Sequence, residues 1–203
     1  MTAFHSLAPC AAPTIRTDRV TLRPMLVDDW PGYRDHLMSD RFPAAFRATC
    51  ENQAWARFLA EGGGWEVVGA GTLSVDFEDD LAGFVSLRVQ PDFPELQLGC
   101  HLLPHATGYR LANEAAAPLR DWARDVAGAP SLVAYIAPEN APAIACMSGL
   151  GAVEDPAANG PDGTAYKVFR FWGPMGGPAA TPPSAAASAA ARTDGAQPVA
   201  GHP

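Results

Sequence analysis

Apolar and polar residues alternate in seven short segments of the chain, and this period of two predicts β-strands. Glycine, aspartate and proline separate most of these segments, as is typical of turns. The predicted strands cover residues 20–23, 65–68, 72–77, 81–89, 96–103, 131–137 and 166–172. Because helical segments lie between several of them, we expect an α/β fold.

Helices are predicted where large apolar residues recur at helical spacing. Trp30, Tyr33 and Leu37 form one such stripe, and residues 51–60 form a second helix that Gly62 and the two following glycines are expected to end. The longest helix is predicted over residues 109–126, and a short one is expected to begin after an Asn140 cap.

Composition divides the chain into a domain and a tail. Residues 14–172 contain enough apolar sequence for one core, whereas residues 173–203 consist mostly of alanine, proline, glycine, serine and threonine. Such a segment buries too little apolar surface to offset its ordering entropy. We therefore expect one domain over 14–172 and a disordered C-terminal tail.

Charge and cysteine content exclude several classes of protein. The formal net charge is −8, and the basic residues are scattered, so nucleic acid is not an expected partner. The four cysteines show no CxxC pairing, so neither a disulfide framework nor a metal site is indicated. No signal peptide or membrane-spanning run is recognisable. These features favour a cytoplasmic protein that needs no metal and does not contact a membrane.

The segment 98–117 carries the most specific signal, because a predicted strand, a glycine-bearing turn and a helix start follow one another closely. The first backbone N–H groups of a helix lack partners within the helix, and they attract anions. A pyrophosphate lying across residues 108–112 is therefore expected to be held by the main chain. Coenzyme A is one ligand that offers such a group.

The order of residues in this segment resembles the acetyl-CoA motif of the GNAT N-acetyltransferases, in the branch of the ribosomal-protein N-terminal-alanine acetyltransferases. Residues 17–24 resemble the opening strand of that branch. Residues 132–151 resemble a later segment of it, which contains an asparagine at the position of Asn140 and ends in a Leu-Gly pair. The resemblance implies a mixed, largely antiparallel central sheet flanked by helices. It also implies transfer of an acetyl group from acetyl-CoA to an amine.

The resemblance further implies which residues contact the coenzyme. The matching positions are Leu102, Leu103, Thr107, Gly108, Tyr109, Arg110, Leu111, Ala112 and Asn140. Arg110 stands where the family's loop normally has glycine, and its charge offers a contact to phosphates instead. The family's usual acid for the departing thiolate is also missing, since Met147 or Ala143 occupies its position.

Two residues near the presumed acceptor are candidates for the general base. Alternation places Glu95 and His101 on the polar face of the strand over 96–103, where a carboxylate or imidazole can accept the proton of an amine. Glu95 is the first candidate and His101 the second. If the resemblance holds, Tyr33, Phe46 and Arg47 line the acceptor cleft.

Two hypotheses of different class follow. The first is an active N-acetyltransferase whose acceptor is a protein N-terminus or an amine-bearing small molecule. The second is a catalytically degenerate module that binds coenzyme A or a protein partner. The sequence leaves the acceptor and the oligomeric state open.

Overall fold

One eight-stranded sheet forms the centre of the computed structural model, which describes residues 6–42, 46–91, 93–158, 160 and 165–175. Its strand order is β1-β2-β3-β4-β5-β6-β8-β7. The strands are β1 (Ile15–Arg16), β2 (Val20–Pro24), β3 (Thr72–Phe77), β4 (Asp80–Arg88), β5 (Gln97–Leu102), β6 (Leu132–Ile136), β7 (Val153–Glu154) and β8 (Lys167–Trp172). Neighbouring strands are antiparallel except β5 and β6, which are parallel. The predicted mixed and largely antiparallel α/β sheet is therefore confirmed.

Four α-helices flank the sheet. They are α1 (Trp30–Met38), α2 (Glu51–Val68), α3 (Leu111–Asp125) and α4 (Ala141–Gly149). Short 3₁₀ turns precede α1 and follow β5. All four α-helices were predicted. Helix α3 matches its predicted range of 109–126 to within two residues at each end, and α4 begins directly after the predicted Asn140 cap.

The second helix is longer than the sequence pattern indicates. It continues through Gly62, Gly63 and Gly64 and ends at Gly69, whose φ of 69° is left-handed. The prediction of a strand over residues 65–68 is wrong, because this segment is the last turn of α2. Trp65 is fully buried there, and its indole N–H donates to the Thr72 carbonyl oxygen. The glycines lower helix propensity, but burial of the tryptophan outweighs that cost.

The two faces of the sheet are packed differently. On β4, Val85 and Leu87 point into the main core, which is shared with α3 and α4. Phe84 points to the opposite face and packs there against Tyr33 of α1 in a second cluster. Strand β5 follows the same alternation, with Leu98 in the main core.

Strands β5 and β6 separate along most of their length. They pair at a single position, Gln97 with Val133, where the Val133 N–H donates to the Leu96 carbonyl oxygen over 3.0 Å. No other residues of β5 and β6 are paired within the described part of the chain. The sheet therefore opens between β5 and β6 toward the end of β5 that leads to α3.

The predicted tail lies almost entirely outside the described residues, since the description ends at residue 175. None of the helices in the described ranges combines the length and the apolar character needed to cross a membrane. Over the same ranges, no group of three or more His, Cys, Asp or Glu side chains is arranged to hold a metal ion.

Candidate active site

The turn between β5 and α3 has the backbone conformation of an anion-binding loop. Gly108 has a φ of 95°, and Arg110 has φ 59° and ψ 27°, both in the left-handed region. Thr107 closes the turn from the other side, where its hydroxyl donates to the Pro104 carbonyl oxygen over 2.7 Å. The loop thus retains at Arg110 a conformation that favours glycine, at a cost of about 1–2 kcal/mol for a side chain.

Backbone donors of this turn are free. Among the described residues, none accepts a hydrogen bond from the N–H groups of Gly108, Tyr109 or Arg110. The loop is exposed, and the Tyr109 ring lies 5.6 Å from that of Phe77. Unpaired N–H groups at a helix start provide the positive potential that binds phosphates.

Glu114 in the first turn of α3 does not compete for these donors. Its carboxylate accepts from the Arg19 Nε over 2.8 Å and from the Thr17 hydroxyl over 2.9 Å. Burial raises the pKa of Glu114, but these hydrogen bonds outweigh it and keep the pKa below its usual value. Because Arg19 neutralises the carboxylate, the acidic side chain does not cancel the positive potential of the helix start.

The apolar residues predicted to contact the coenzyme lie beside this loop. Leu102 ends β5 on the edge next to the opening, whereas the N–H of Leu103 already donates to the Ala82 carbonyl oxygen. Leu111 is fully buried in the main core and anchors the start of α3. Ala112 is half-buried, and its carbonyl accepts a weak hydrogen bond from the Cys100 thiol.

Asn140 caps α4, as the sequence predicts. Its side-chain oxygen accepts from the Ala143 N–H over 3.2 Å. The side-chain NH2 group takes no part in this bond and carries two further donors. A contact between Asn140 and the coenzyme stays a prediction.

Glu95 lies in a buried ion-pair cluster rather than in an open cleft. Its two carboxylate oxygens each accept from the Arg170 guanidinium over 2.7 Å, and Arg170 Nε donates to Asp155 over 2.7 Å. Glu95 and Arg170 expose less than a tenth of their surface. Both oxygens of the proposed base are thus engaged, and its role in proton transfer rests on the sequence alone.

His101 lies within β5, and its environment differs from that of Glu95. Its ring lies 5.0 Å from that of His36 and 5.4 Å from that of Phe42. Burial, followed by the charge of Arg88 and by His36, keeps the pKa of His101 well below its ordinary value. The imidazole is therefore neutral at physiological pH and has a lone pair with which to accept a proton.

The structure adds a polar group that sequence reasoning missed. Ser86 and Arg88 of β4 pair with Gly99 and Gln97 of β5 and share the face of His101. We call these five residues the polar face. The sequence contains a signal for this group: Phe84, Ser86 and Arg88 are two residues apart along β4, so their side chains lie on the same face of the sheet.

An aromatic wall borders the polar face near the start of β5. The Phe46 ring lies 5.8 Å from Tyr166 and 6.3 Å from Phe93, and Phe93 lies 5.1 Å from Tyr135. Phe46 belongs to this aromatic wall, and its place in the acceptor cleft stays a prediction. Tyr33 packs deeper, between Phe58 and Phe84, so it supports the cleft from below.

Arg47, the third residue expected at the acceptor cleft, points along its own loop. Its guanidinium donates to the Asp40 carboxylate over 2.6 Å and to the Phe42 carbonyl oxygen over 3.2 Å. These contacts hold the segment before α2. Arg47 therefore has no described contact with the polar face.

Comparison with known proteins agrees with this architecture. A family model described as an acetyltransferase (GNAT) domain matches residues 19–153. An acetyltransferase from Agrobacterium tumefaciens is 32% identical, with a TM-score of 0.74, over 80% of this chain and 96% of that one. No curated protein matches the chain significantly.

Two more distant solved structures share the fold. A ribosomal-protein-alanine acetyltransferase from Vibrio fischeri is 16% identical, with a TM-score of 0.57 over 80% of this chain and 100% of that one. A microcin self-immunity acetyltransferase in complex with acetyl-CoA and AMP is 15% identical, with a TM-score of 0.58 over 76% of this chain and 91% of that one. The family model covers well over half of the chain, and so the protein belongs to the GNAT family of acetyltransferases.

Proposed function

We propose that this chain transfers the acetyl group of acetyl-CoA to a primary amine, at a protein N-terminus or on a small molecule. One observation carries the proposal: unpaired backbone donors at the start of α3 adjoin the opening between β5 and β6. A ligand with a pyrophosphate and an extended amide-bearing arm fits both parts at once. Coenzyme A has this chemistry, and the solved structure of a family member with acetyl-CoA supports the choice.

The opening supplies backbone partners for the arm. Beyond Gln97, the edge of β5 that faces β6 has no strand partner among the described residues. Its N–H and C=O groups are available to pair with the amides of an extended ligand, as in the addition of a strand to a sheet. A backbone N–H on this edge also polarises the thioester carbonyl as negative charge develops on its oxygen.

We assign the proton transfer to His101. The imidazole is neutral and lies on the polar face of β5, the strand whose edge is proposed to hold the thioester. An amine nitrogen that is bonding to the thioester carbon is far more acidic than a free ammonium, so a weakly basic imidazole suffices. Glu95, whose oxygens are held by Arg170, is the alternative base and acts in this proposal by fixing the cluster next to β5.

The departing thiolate is proposed to take its proton from solvent. The positions from which family members supply an acid hold Met147 and Ala143, neither of which ionises. A thiol has an ordinary pKa of about 8.5, so the thiolate can leave at neutral pH without first being protonated. Positioning of the two reactants then supplies most of the rate acceleration.

The alternative is a degenerate module that binds coenzyme A or a protein partner without turnover. The observations that favour it are Arg110 in the place of a loop glycine and the missing acid. The active enzyme and a module that binds coenzyme A require the same coenzyme site, whereas a module that binds only a protein partner does not. The enzyme differs from both modules in whether an amine is acetylated.

Two measurements test the proposal. Acetyl-CoA at about 100 times its Kd should stabilise the fold by about 2.7 kcal/mol, and adenine alone should not. Gly108→Pro removes one donor and blocks the φ of 95°, so it should abolish that stabilisation while leaving the unliganded fold intact. Acetyl-CoA turnover on a library of amines and peptides then separates the enzyme from the degenerate module, because only the enzyme releases free thiol.

A further inference from the structure

A cationic cavity adjoins the polar face. It has a volume of about 320 Å³ and lies between α2 and the end of β4. Arg57 and Glu61 of α2 line one side, and Arg88 and Gln90 line the other. The cavity therefore contains two guanidinium groups and one carboxylate, although the chain as a whole is acidic.

The single carboxylate is engaged mainly by groups other than Arg88. Glu61 accepts from Arg57 Nε over 2.7 Å and from the Thr72 hydroxyl over 2.6 Å. Its contacts to Arg88 are longer, 3.4 Å to Nε and 3.5 Å from Nη2. Arg88 is thus paired with Glu61 only through these two long contacts, and its guanidinium retains donors for a closer acceptor.

Two buried donors point to a missing ligand. The Nε of Arg88 and the hydroxyl of Ser86 are buried, and neither has a hydrogen-bond partner in the described part of the chain. Ser86 exposes only 1% of its surface. Leaving such donors unpaired costs about 1–3 kcal/mol each, and more for a charged group. A ligand that accepts hydrogen bonds would remove this cost.

Both donors lie above Gly99. A Cβ built on Gly99 would be 2.8 Å from the Ser86 Oγ and 3.5 Å from the Arg88 Nη1. Gly99 is two residues along β5 from Gln97, the last residue paired with β6. Because Gly99 has no side chain, the Ser86 hydroxyl and the Arg88 guanidinium lie directly against β5, the strand that is proposed to hold the thioester.

We propose that Arg88 and Ser86 form a carboxylate subsite, so that the preferred acceptors are amines with a carboxylate a few ångströms away. This inference rests on the proposed acetyl transfer and names its substrate class. The carboxylate accepts from Arg88, Ser86 and Gln90, while the amine reaches the edge of β5. Free amino acids and peptides with an acidic first residue both present this arrangement.

Matched pairs of acceptors test the inference. In each pair a carboxylate is replaced by a carboxamide of the same shape: alanine against alaninamide, and peptide amides that begin with glutamate or aspartate against those that begin with glutamine or asparagine. Because a carboxylate also raises the pKa of a nearby ammonium, kcat/KM is compared per concentration of neutral amine. Wild-type protein should show a kcat/KM about 10- to 100-fold higher for the charged member, because the free energy of one charge-assisted hydrogen bond corresponds to a ratio of that size. A preference in the alanine pair identifies a free amino acid as the acceptor, and a preference in the peptide pairs identifies an N-terminus.

Variants identify the residues responsible. Arg88→Gln should raise the KM of the charged member to that of its neutral partner. Arg124→Gln is the matched control, because Arg124 is about half exposed and contacts Asp121, Asp125 and the Trp172 ring, none of which belongs to the polar face; it should leave the preference unchanged. Ser86→Ala removes a buried hydroxyl that has no partner, so it should fold at least as stably as wild type and still lose part of the preference.

The outcomes separate the two proposals. Turnover of both members of every pair at equal kcat/KM would overturn the carboxylate subsite and leave acetyl transfer intact. A preference that survives both Arg88→Gln and Ser86→Ala would also overturn it. Absence of turnover for every amine, despite stabilisation by acetyl-CoA, would overturn the proposed function and the subsite with it.

Discussion

Arg170 on β8 holds Glu95 through two parallel hydrogen bonds of 2.7 Å, across the junction where β5 meets β6. The same guanidinium binds Asp155, so one cation links the loop before β5, the strand β8 and the segment after β7. Burial of all three side chains makes this cluster costly to break. It fixes the start of β5, from which the opening between the strands begins.

Glu95→Gln is expected to destabilise the fold rather than to remove a catalytic base. Breaking one partner of a buried pair costs about 3–5 kcal/mol, which chemical unfolding measures directly. Glu154→Gln, which breaks the exposed pair with Lys167, is the control and should cost about 1 kcal/mol or less. Unchanged stability together with a kcat/KM that recovers at high pH would instead identify Glu95 as the base.

His101→Gln is expected to lower kcat by about 100-fold if the imidazole accepts the amine proton. Glutamine keeps a polar group of similar size, so the thermal stability of the variant should stay close to that of wild type. His105→Gln serves as the control, because His105 is exposed in the turn and contacts the Leu81 carbonyl oxygen. Equal kcat values for all three proteins, measured with saturating substrates, would show that water deprotonates the amine.

The sequence predicts most of the fold because local patterns decide most elements. Strand patterns located β2, β3, β4, β5, β6 and β8, helical stripes located α1 and α3, and the Asn140 cap located α4. Local patterns fail from Gly62 to Val68, where the three glycines predict the end of the helix and the following residues predict a strand. There the helix is maintained by burial of Trp65, a tertiary effect that no window of sequence contains.

The site is predictable only in part, for a related physical reason. The loop from Thr107 to Ala112 is one continuous segment, so its glycine and helix start identify it. The pairing of Glu95 with Arg170 joins residues 75 positions apart, and the polar face depends on strand register between β4 and β5. Sequence alternation predicts a strand face for Glu95, which lies in a bend two residues before β5, and it cannot show that a distant arginine occupies both carboxylate oxygens.

Arg110→Gly is expected to change stability and coenzyme affinity in opposite directions. Glycine adopts the φ of 59° without strain, so the unliganded fold should gain about 1 kcal/mol. Loss of the guanidinium should weaken acetyl-CoA binding several-fold if Arg110 contacts the phosphates. Arg110→Lys keeps the charge and the strain, and calorimetry should show near wild-type affinity. Tighter binding by Arg110→Gly would show that the side chain obstructs the loop.

Acid should destabilise the protein in a window set by His36. Burial, then the charges of Arg41, Arg88 and Arg57, lowers the pKa of His36 from 6.5 to about 4. The folded state therefore holds this imidazole neutral, whereas the unfolded chain protonates it below about pH 6.5. The stability contribution is complete above that pH and is lost as the pH falls toward 4, by about 1–3 kcal/mol in total.

His36→Gln tests this origin, since the variant carries no group that titrates there. Denaturant midpoints measured between about pH 7.5 and about pH 4.5 should fall less steeply for His36→Gln than for wild type. His101 lies 5.0 Å away with a pKa lowered in the same direction, so the variant retains part of the slope. His105→Gln should follow the wild-type curve, because that ring is exposed in the folded protein. Parallel curves for all three proteins would show that His36 does not set the acid sensitivity in this range. Carboxylates do not substitute for it there: burial raises the pKa of Glu61, but Arg88 and Arg57 outweigh this effect and lower the pKa from 4.5 to about 2, so its contribution is lost only below about pH 4.5.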